Sequence, residues 1–395
     1  MKKILVVGGG AYQVPLIRRI IELGHEAYCI DGNPEAVGFS ESTGYENIDV
    51  LNLQACLEYA KRIDIDAVMT YGATLTLPTV SYIGEHLGIP VLPAETARIS
   101  QNKYQIKQRL SNFGCNRKGD DVLLQSMEQI QRITLPCVIK PCDGSGSKGV
   151  SLVHSDHELP SAIQYAFESA RYGEIYAESL ISGDEYSVET FVVHGRVYVY
   201  AIVKTTFERL PDGEISYGHR TPAGISPATE SEIADEVTKA VHALGITMGS
   251  ANFDVIVSSD DQKPYIIDCG IRVGQNLIAS HLVPLSCGVS VIDNTIALSL
   301  GQKVDAEKKF SKCIATRLLI YQPGRIDEIK DMSGIIGKNG IVDVVMRKVA
   351  GDLQGQYRDK SDTCGWVITT GSTPDEAEQH AVKAKELLKD YIIIQ

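Results

Sequence analysis

The sequence has no run of lysine or arginine, no C-x-x-C pair, and no apolar stretch approaching the ~18 residues a membrane span needs. Each absence narrows the field. With 38 basic against 50 acidic residues, the formal net charge of -12 makes nucleic acid and anionic membrane surfaces unexpected partners, while leaving room for a local basic pocket that holds a small anion. The nine cysteines are scattered, and Cys137, Cys269 and Cys313 sit inside apolar runs, the pattern of small buried thiols in a reducing cytoplasm. None has the charged neighbours that activate a nucleophile. The opening MKKILVVGGG imitates a signal peptide only briefly, because its apolar run meets glycines at once; it reads as a first buried strand.

What is present suits two or three domains: 395 residues, 44% hydrophobic and 22% charged. Residues 1–95 alternate apolar strands with helical periodicity, which predicts a doubly wound, parallel-sheet, Rossmann-like α/β domain. Its first turn, Gly8-Gly9-Gly10, has Asp31 about twenty residues further on, as a dinucleotide site would. The third glycine of that fingerprint is missing, with Gln13 in its place, so a tight turn before a helix is the preferred reading. Residues 96–300 begin with a helical stretch, AETARISQNKYQIKQRLSNFG, and continue through strands and helices of mixed order; residues 301–395 read as a small α+β domain closed by a helix that Thr373-Pro374 starts.

The segment KPCDGSGSKGV, from Lys140 to Val150, carries Gly144, Gly146 and Gly149 as G-x-G-x-x-G. The lysine and hydroxyl of a Walker loop are absent after Gly149, and an apolar β-branched run follows where a dinucleotide fold has a helix. The loop therefore joins two strands. Alone it fits a solvated hairpin as well as a flap whose N–H groups face phosphate. Lys140, on the entering strand, needs an anion if it is buried. Asp254 and Asp268 fall on two strands whose antiparallel pairing brings both carboxylates within reach of one cation, and oxygen ligands with phosphates suit magnesium. In YAESLISGDEYSVE, Glu178, Glu185 and Glu189 fit either a solvated strand-turn-strand or a hinge that meets a nucleoside.

The order of these pieces resembles the ATP-grasp superfamily over nearly the whole chain. ATRLLIYQPGRI and GWVITTGSTPDEAEQHA are similar to the C-terminal domain of the branch that holds biotin carboxylase, carbamoyl-phosphate synthetase-like proteins, phosphoribosylglycinamide synthetase and L-amino acid ligases. The resemblance implies a central ATP-grasp fold with a mobile glycine-loop lid, spanning about residues 117–178. It also implies that Lys103, Lys140 and the backbone through Gly144, Ser145, Gly146, Ser147 and Gly149 meet ATP phosphates. Glu178, Ser179 and Ile181 would face adenine, and Glu185 the ribose. Asp254 and Asp268 would bind magnesium, or manganese, and Arg272 would hold the transferred phosphate or acyl group. His219, Arg220 and Arg317 are candidates for substrate binding, the first two on a loop reaching into the pocket.

The departure from the family pattern is Asp268-Cys269-Gly270, where relatives place an acid, one residue and an asparagine. Gly270 has no side chain to ligate with, so one of two magnesium sites is expected to be weakened, or completed by water or Asn276. The reaction implied is that of an ATP-dependent ligase, which activates a small carboxylate as an acyl phosphate and joins it to an amine, releasing ADP and phosphate. Phosphoribosylglycinamide synthetase-like or bicarbonate-using chemistry is the alternative, followed by a nucleotide-binding oxidoreductase or a non-catalytic ATP sensor. Dimers are common in that branch, so a homodimer is an expected partner state.

Overall fold

The computed structural model describes all residues except 125, 126, 145, 147, 211, 212 and 357–361. The N-terminal part is the expected parallel sheet. Its strands lie in the order Gly44–Asn47, Glu26–Asp31, Lys3–Val7, Ala67–Met69. Because both faces of that sheet are covered, its central strand is a continuous apolar run: Ile4, Leu5, Val6 and Val7 are fully buried. Helix Val14–Glu22 follows the glycine turn and presents Leu16, Ile17 and Ile20 to the core.

The helical stretch expected near residue 96 is two helices, Ala94–Ile99 and Lys103–Asn112. The break falls where the Asn102 side chain accepts the Gln105 N–H, a capping bond that starts a new helix at Lys103. A four-stranded antiparallel sheet then forms, in the order Val122–Leu124, Ile175–Ser179, Cys137–Pro141, Ser151–Val153, with helix Leu159–Ser169 packed against it. The glycine loop joins the last two of these strands, as its sequence requires.

An eight-stranded antiparallel sheet runs Pro264–Gly270, Gly249–Ser258, Gly183–Val193, Arg196–Leu210, Gly213–Thr221, Cys313–Leu318, Gly365–Gly371, Ile341–Met346. Hydrogen bonding is continuous across residue 300, because Gly213–Thr221 pairs with Cys313–Leu318. One face is backed by helix Pro227–Ala243 through Ile233, Val237 and Val241 against Phe253 and Val255. The opposite face meets the N-terminal domain and helix Val291–Ser299 in a shared apolar core. Helix Pro374–Leu387 is capped by Thr373 as its sequence predicts. No single helix among the described residues is long and apolar enough to cross a membrane.

Candidate active site

The strand pair at the edge of the large sheet sets the site's geometry. Asp254 and Asp268 are register partners across Gly249–Ser258 and Pro264–Gly270, so both carboxylates leave the same face. Asp254 accepts a hydrogen bond from Ser187 Oγ at 3.1 Å. Asp268 is paired with Lys103, the first residue of its helix. Burial by itself raises the Asp268 carboxyl, but the charges of Lys103 and Lys140 outweigh that and hold it below the ordinary carboxylate range.

A second charge cluster joins the lid sheet to the same strand. Glu178 Oε1 is 2.5 Å from Lys140 Nζ, and its Oε2 is 2.8 Å from Lys107 Nζ. Both lysines also donate to the strand's backbone, Lys140 to the Ile267 carbonyl at 3.0 Å and Lys107 to that of Ile266 at 2.9 Å. Burial opposes charge on Glu178 and Lys140; the two ammonium ions nonetheless lower the Glu178 carboxyl, and Glu178 leads the charges that raise Lys140. The anion that Lys140 requires is thus supplied by the protein, by Glu178 first and also by Asp268 and Asp254.

Beside Lys103, Asp254 and Asp268 lies a cleft of about 470 Å³ under the glycine loop. It brings together Lys103, Gly144, Gly146, Asp254, Asp268 and Arg272. Gly146 and Gly149 have φ of +67° and +78°, which favours glycine, and a Cβ on Gly149 would stand 2.5 Å from that of Ser169. Asp143 ties the loop down by accepting the N–H groups of Arg171 and Tyr172 at 3.1 and 3.0 Å. A smaller recess of about 30 Å³ beside the hinge is lined by Lys107, Lys118, Glu178, Ser179, Ile181 and Ile266. Ser145 and Ser147 lie outside the described residues.

Other expectations fall elsewhere. His219 and Arg220 are in strand Gly213–Thr221 and not on a loop. His219 is buried between Thr205 and Thr316 across the sheet. Arg220 reaches away from the cleft to Asp375 and Glu378 of the last helix, and Arg317 lies 3.6 Å from Glu378, with its guanidinium 4.8 Å from the Tyr217 ring. Two arginines in neighbouring strands share one helix carboxylate, which answers their charge. Glu185 lies on strand Gly183–Val193 opposite Ile256, two residues before Ser187. Asp31 accepts from Gly9 N–H at 2.7 Å and Asn33 N–H at 2.8 Å, so this acid fastens the glycine turn. Asn276 has φ of +54° and lies directly after Gln275, a residue that lines the cleft.

Sequence reasoning missed Lys107, Asn252, Lys148, Arg171, Tyr172 and Gln275 as neighbours of these pockets. Lys107 had a signal: four residues after Lys103, it shares a helix face with it. Asn252 had one too: two residues before Asp254 on strand Gly249–Ser258, it leaves the same face. Lys148, Arg171, Tyr172 and Gln275 reach the cleft through turns that no local pattern specifies. Glu189, which the sequence allowed to be solvated, is fully buried; it accepts from Gly274 N–H at 2.7 Å and Asn252 Nδ2 at 3.2 Å, and burial pushes its carboxyl up to about 8.

A magnesium ion fits the donor set in a restricted way. No group of three or more His, Cys, Asp or Glu able to hold a metal occurs among the described residues. Two facing carboxylates beside lysines are nevertheless the arrangement in which magnesium is held by one or two carboxylates, water and substrate phosphates.

A glycine-loop sheet beside a large antiparallel sheet, with paired aspartates and lysines between, is the arrangement of an ATP-grasp domain. Residues 133–279 match the ATP-grasp domain family, and residues 317–390 match the L-amino acid ligase C-terminal domain 2. The chain therefore contains an ATP-grasp domain. It is similar to the D-alanine–D-alanine ligase of Flavobacterium johnsoniae, 30% identical over 209 residues that cover 50% of this chain and 61% of that ligase. The chain thus spans less than two thirds of that relative. The L-amino acid ligase from Bacillus licheniformis shares the fold at a TM-score of 0.83 and 21% identity, over 100% of this chain and 99% of its own. Phosphoribosylglycinamide synthetase from Anaerococcus prevotii does so at 0.78 and 19%, over 100% and 99%.

Proposed function

We propose that the protein is an ADP-forming carboxylate–amine ligase. The observation that carries this reading is the convergence of Lys103, Asp254, Asp268 and Arg272 on one cleft beneath the glycine loop. Backbone N–H groups of Gly144 to Gly149, with Lys103 and Lys140, neutralise the triphosphate, while Lys107 shares Glu178 with Lys140 and keeps that ammonium oriented. Ser179 and Ile181 flank the adenine, and Glu185 takes the ribose. Asp254 and Asp268 would hold magnesium, which would supply charge neutralisation at the phosphates. Gly270 has no side chain to offer such an ion, so water or Asn276 would serve in its place.

A substrate carboxylate oxygen attacks the γ-phosphorus as the bond to ADP breaks, giving an acyl phosphate. An amine then attacks the carbonyl carbon, and phosphate leaves with the electron pair of its C–O bond. Arg272, at the inner wall, orients the carboxylate and faces the developing charge. Chemistry of this kind depends on positioning and electrostatics and needs no protein nucleophile. That agrees with the buried cysteines of the cleft, since burial pushes both Cys142 and Cys269 thiols up. The relatives named for D-alanine and L-amino acid ligation favour an amino acid as the carboxylate. The test is ADP and phosphate release from MgATP across a panel of amino acids with and without a second amine, with phosphoribosylamine and bicarbonate included. Release that requires a carboxylate and yields an amide supports the reading; release with bicarbonate alone, or ATP binding with no release, overturns it.

A further inference from the structure

Asn252 is the register partner of Gly270 across the edge pair of the large sheet, two residues along from the partners Asp254 and Asp268. Side-chain direction in a strand has a period of two, so Asn252, Asp254, Asp268 and position 270 share the cleft face, and all four residues line the cleft. Phe253 and Cys269, between them, turn the other way into the apolar core behind the sheet. Three corners of this square carry side-chain oxygen and the fourth carries none. A Cβ at Gly270 would stand 3.2 Å from the guanidinium carbon of Arg272, whose side chain lies over that corner. Asn276, further along the same segment, does not line the cleft.

Asn252 is 7% exposed, and hydrogen bonds hold its amide in one orientation. Nδ2 donates to Glu189 Oε2 at 3.2 Å and to Ser187 Oγ at 3.0 Å, so both amide protons are used within the protein. Ser187 has one hydroxyl proton and two acceptors beside it, Asp254 Oδ1 at 3.1 Å and Asn252 Oδ1 at 3.3 Å. The carboxylate is the nearer and, being charged, the stronger acceptor, so the proton goes to Asp254. The bonds therefore run in one direction: Gly274 and Asn252 donate to Glu189, Asn252 donates to Ser187, and Ser187 donates to Asp254. Asn252 Oδ1 is the acceptor that this chain of bonds leaves over. A nearly buried amide oxygen without a committed donor is costly, and a cation in the cleft answers it.

We propose that Asn252, through its amide oxygen, is the third protein ligand of a magnesium ion held by Asp254 and Asp268, in the role that no side chain at position 270 can play. The inference rests on the reading that these two aspartates bind the metal, and it names Asn252 ahead of water or Asn276. Magnesium takes oxygen donors, and an amide adds one without adding charge to two carboxylates that already face each other. An amide as third donor also agrees with the absence, among the described residues, of any group of three His, Cys, Asp or Glu able to hold a metal. Glu189 and Ser187 are positioning residues in this scheme. By taking both amide protons they fix which end of the Asn252 side chain is left for the ion.

The experiment is titration of manganese, read by water-proton relaxation, into the full chain loaded with a non-hydrolysable ATP analogue, so that metal binding is followed without turnover. Asn252→Ala is expected to weaken manganese binding at least tenfold, and Asn276→Ala to leave it within about twofold. Asn252→Cys tests ligation apart from positioning: a thiolate prefers a softer ion, so affinity for cadmium relative to manganese should rise at least tenfold over the wild-type ratio. Ser187→Ala, which disturbs the amide without removing a ligand, should leave that ratio unchanged. Thermal unfolding checks that each variant is folded, and Asn252→Cys carries the test if the alanine variant is not. Wild-type manganese affinity in folded Asn252→Ala, an unmoved cadmium-to-manganese ratio in Asn252→Cys, or a loss confined to Asn276→Ala overturns the inference. Asp268→Asn separates it from the broader reading. If that variant weakens manganese binding and Asn252→Ala does not, the aspartate site stands and Asn252 is not its ligand; if neither does, the metal lies elsewhere and both readings fall.

Discussion

Glu189 offers a quantitative test of how the site is held together. It lies at the centre of the large sheet, fully buried, and one of its oxygens accepts from both Gly274 N–H and Asn252 Nδ2. Gly274 belongs to the segment that carries Arg272 on one side and, on the other, Asn276 and Leu277, at φ of +54° and +68°. That backbone is strained for residues with side chains, and the Glu189 bond is one of the contacts that fix it. Burial raises the carboxyl from its ordinary 4.5 to about 8, against the opposing pull of Gly274 N–H, Arg272 and Asn252. A carboxyl raised in the folded state favours the protonated fold, so its contribution to stability is complete below pH 4.5 and is lost as pH climbs through 8. At ~1.4 kcal/mol per pH unit over that interval, the loss approaches ~5 kcal/mol as an upper limit. Glu189→Gln keeps the accepting oxygen and removes the titration. Urea unfolding of both proteins from pH 4.5 to 9 should show nearly equal stabilities at the acid end and an advantage of the variant that grows from pH 4.5 and levels off above about 8. Parallel curves across the whole range would refute the assignment of a buried, raised carboxyl at Glu189.

Replacing Lys140 with Met should weaken ATP binding at least tenfold, measured by titration, and should also lower stability by ~3 kcal/mol because Glu178 loses one of two buried counter-ions; unchanged nucleotide affinity would remove Lys140 from the phosphate site. Asp268→Asn should reduce turnover more than a hundredfold while changing ATP affinity by less than tenfold, and equal turnover would place the metal elsewhere. Gly149→Ala should cost ~1–3 kcal/mol locally, since φ is +78° and the new Cβ meets Ser169, and should lower kcat with a smaller effect on global unfolding; wild-type kcat would show that the loop's geometry is not needed in turnover. Arg220→Ala should destabilise the protein by ~3 kcal/mol through the loss of its bonds to Asp375 and Glu378 and leave the KM for ATP unchanged; a raised KM would bring Arg220 back to the cleft.

Much of this was legible in the chain itself. Continuous apolar runs between helical periods gave the parallel N-terminal sheet, because strands covered on both faces cannot alternate. The G-x-G-x-x-G loop between two β-branched runs announced a strand-loop-strand, and the spacing of Asp254 and Asp268 about a short polar turn fixed their pairing, since side-chain direction in a strand has a period of two. Thr373-Pro374 marked its helix for the equally local reason that a hydroxyl and a fixed φ satisfy a helix start. Arg220 and Arg317 were beyond local rules: an arginine in an apolar strand announces that it has a partner, but which of two sheet faces it occupies depended on strands joined across nearly a hundred residues. The same holds for Glu189, whose burial comes from the closing of the 270–277 segment over it. Periodicity and turn chemistry act between near neighbours and were readable from the sequence. Desolvation and ion pairing act through whatever lies near in space, and these only the tertiary structure decided.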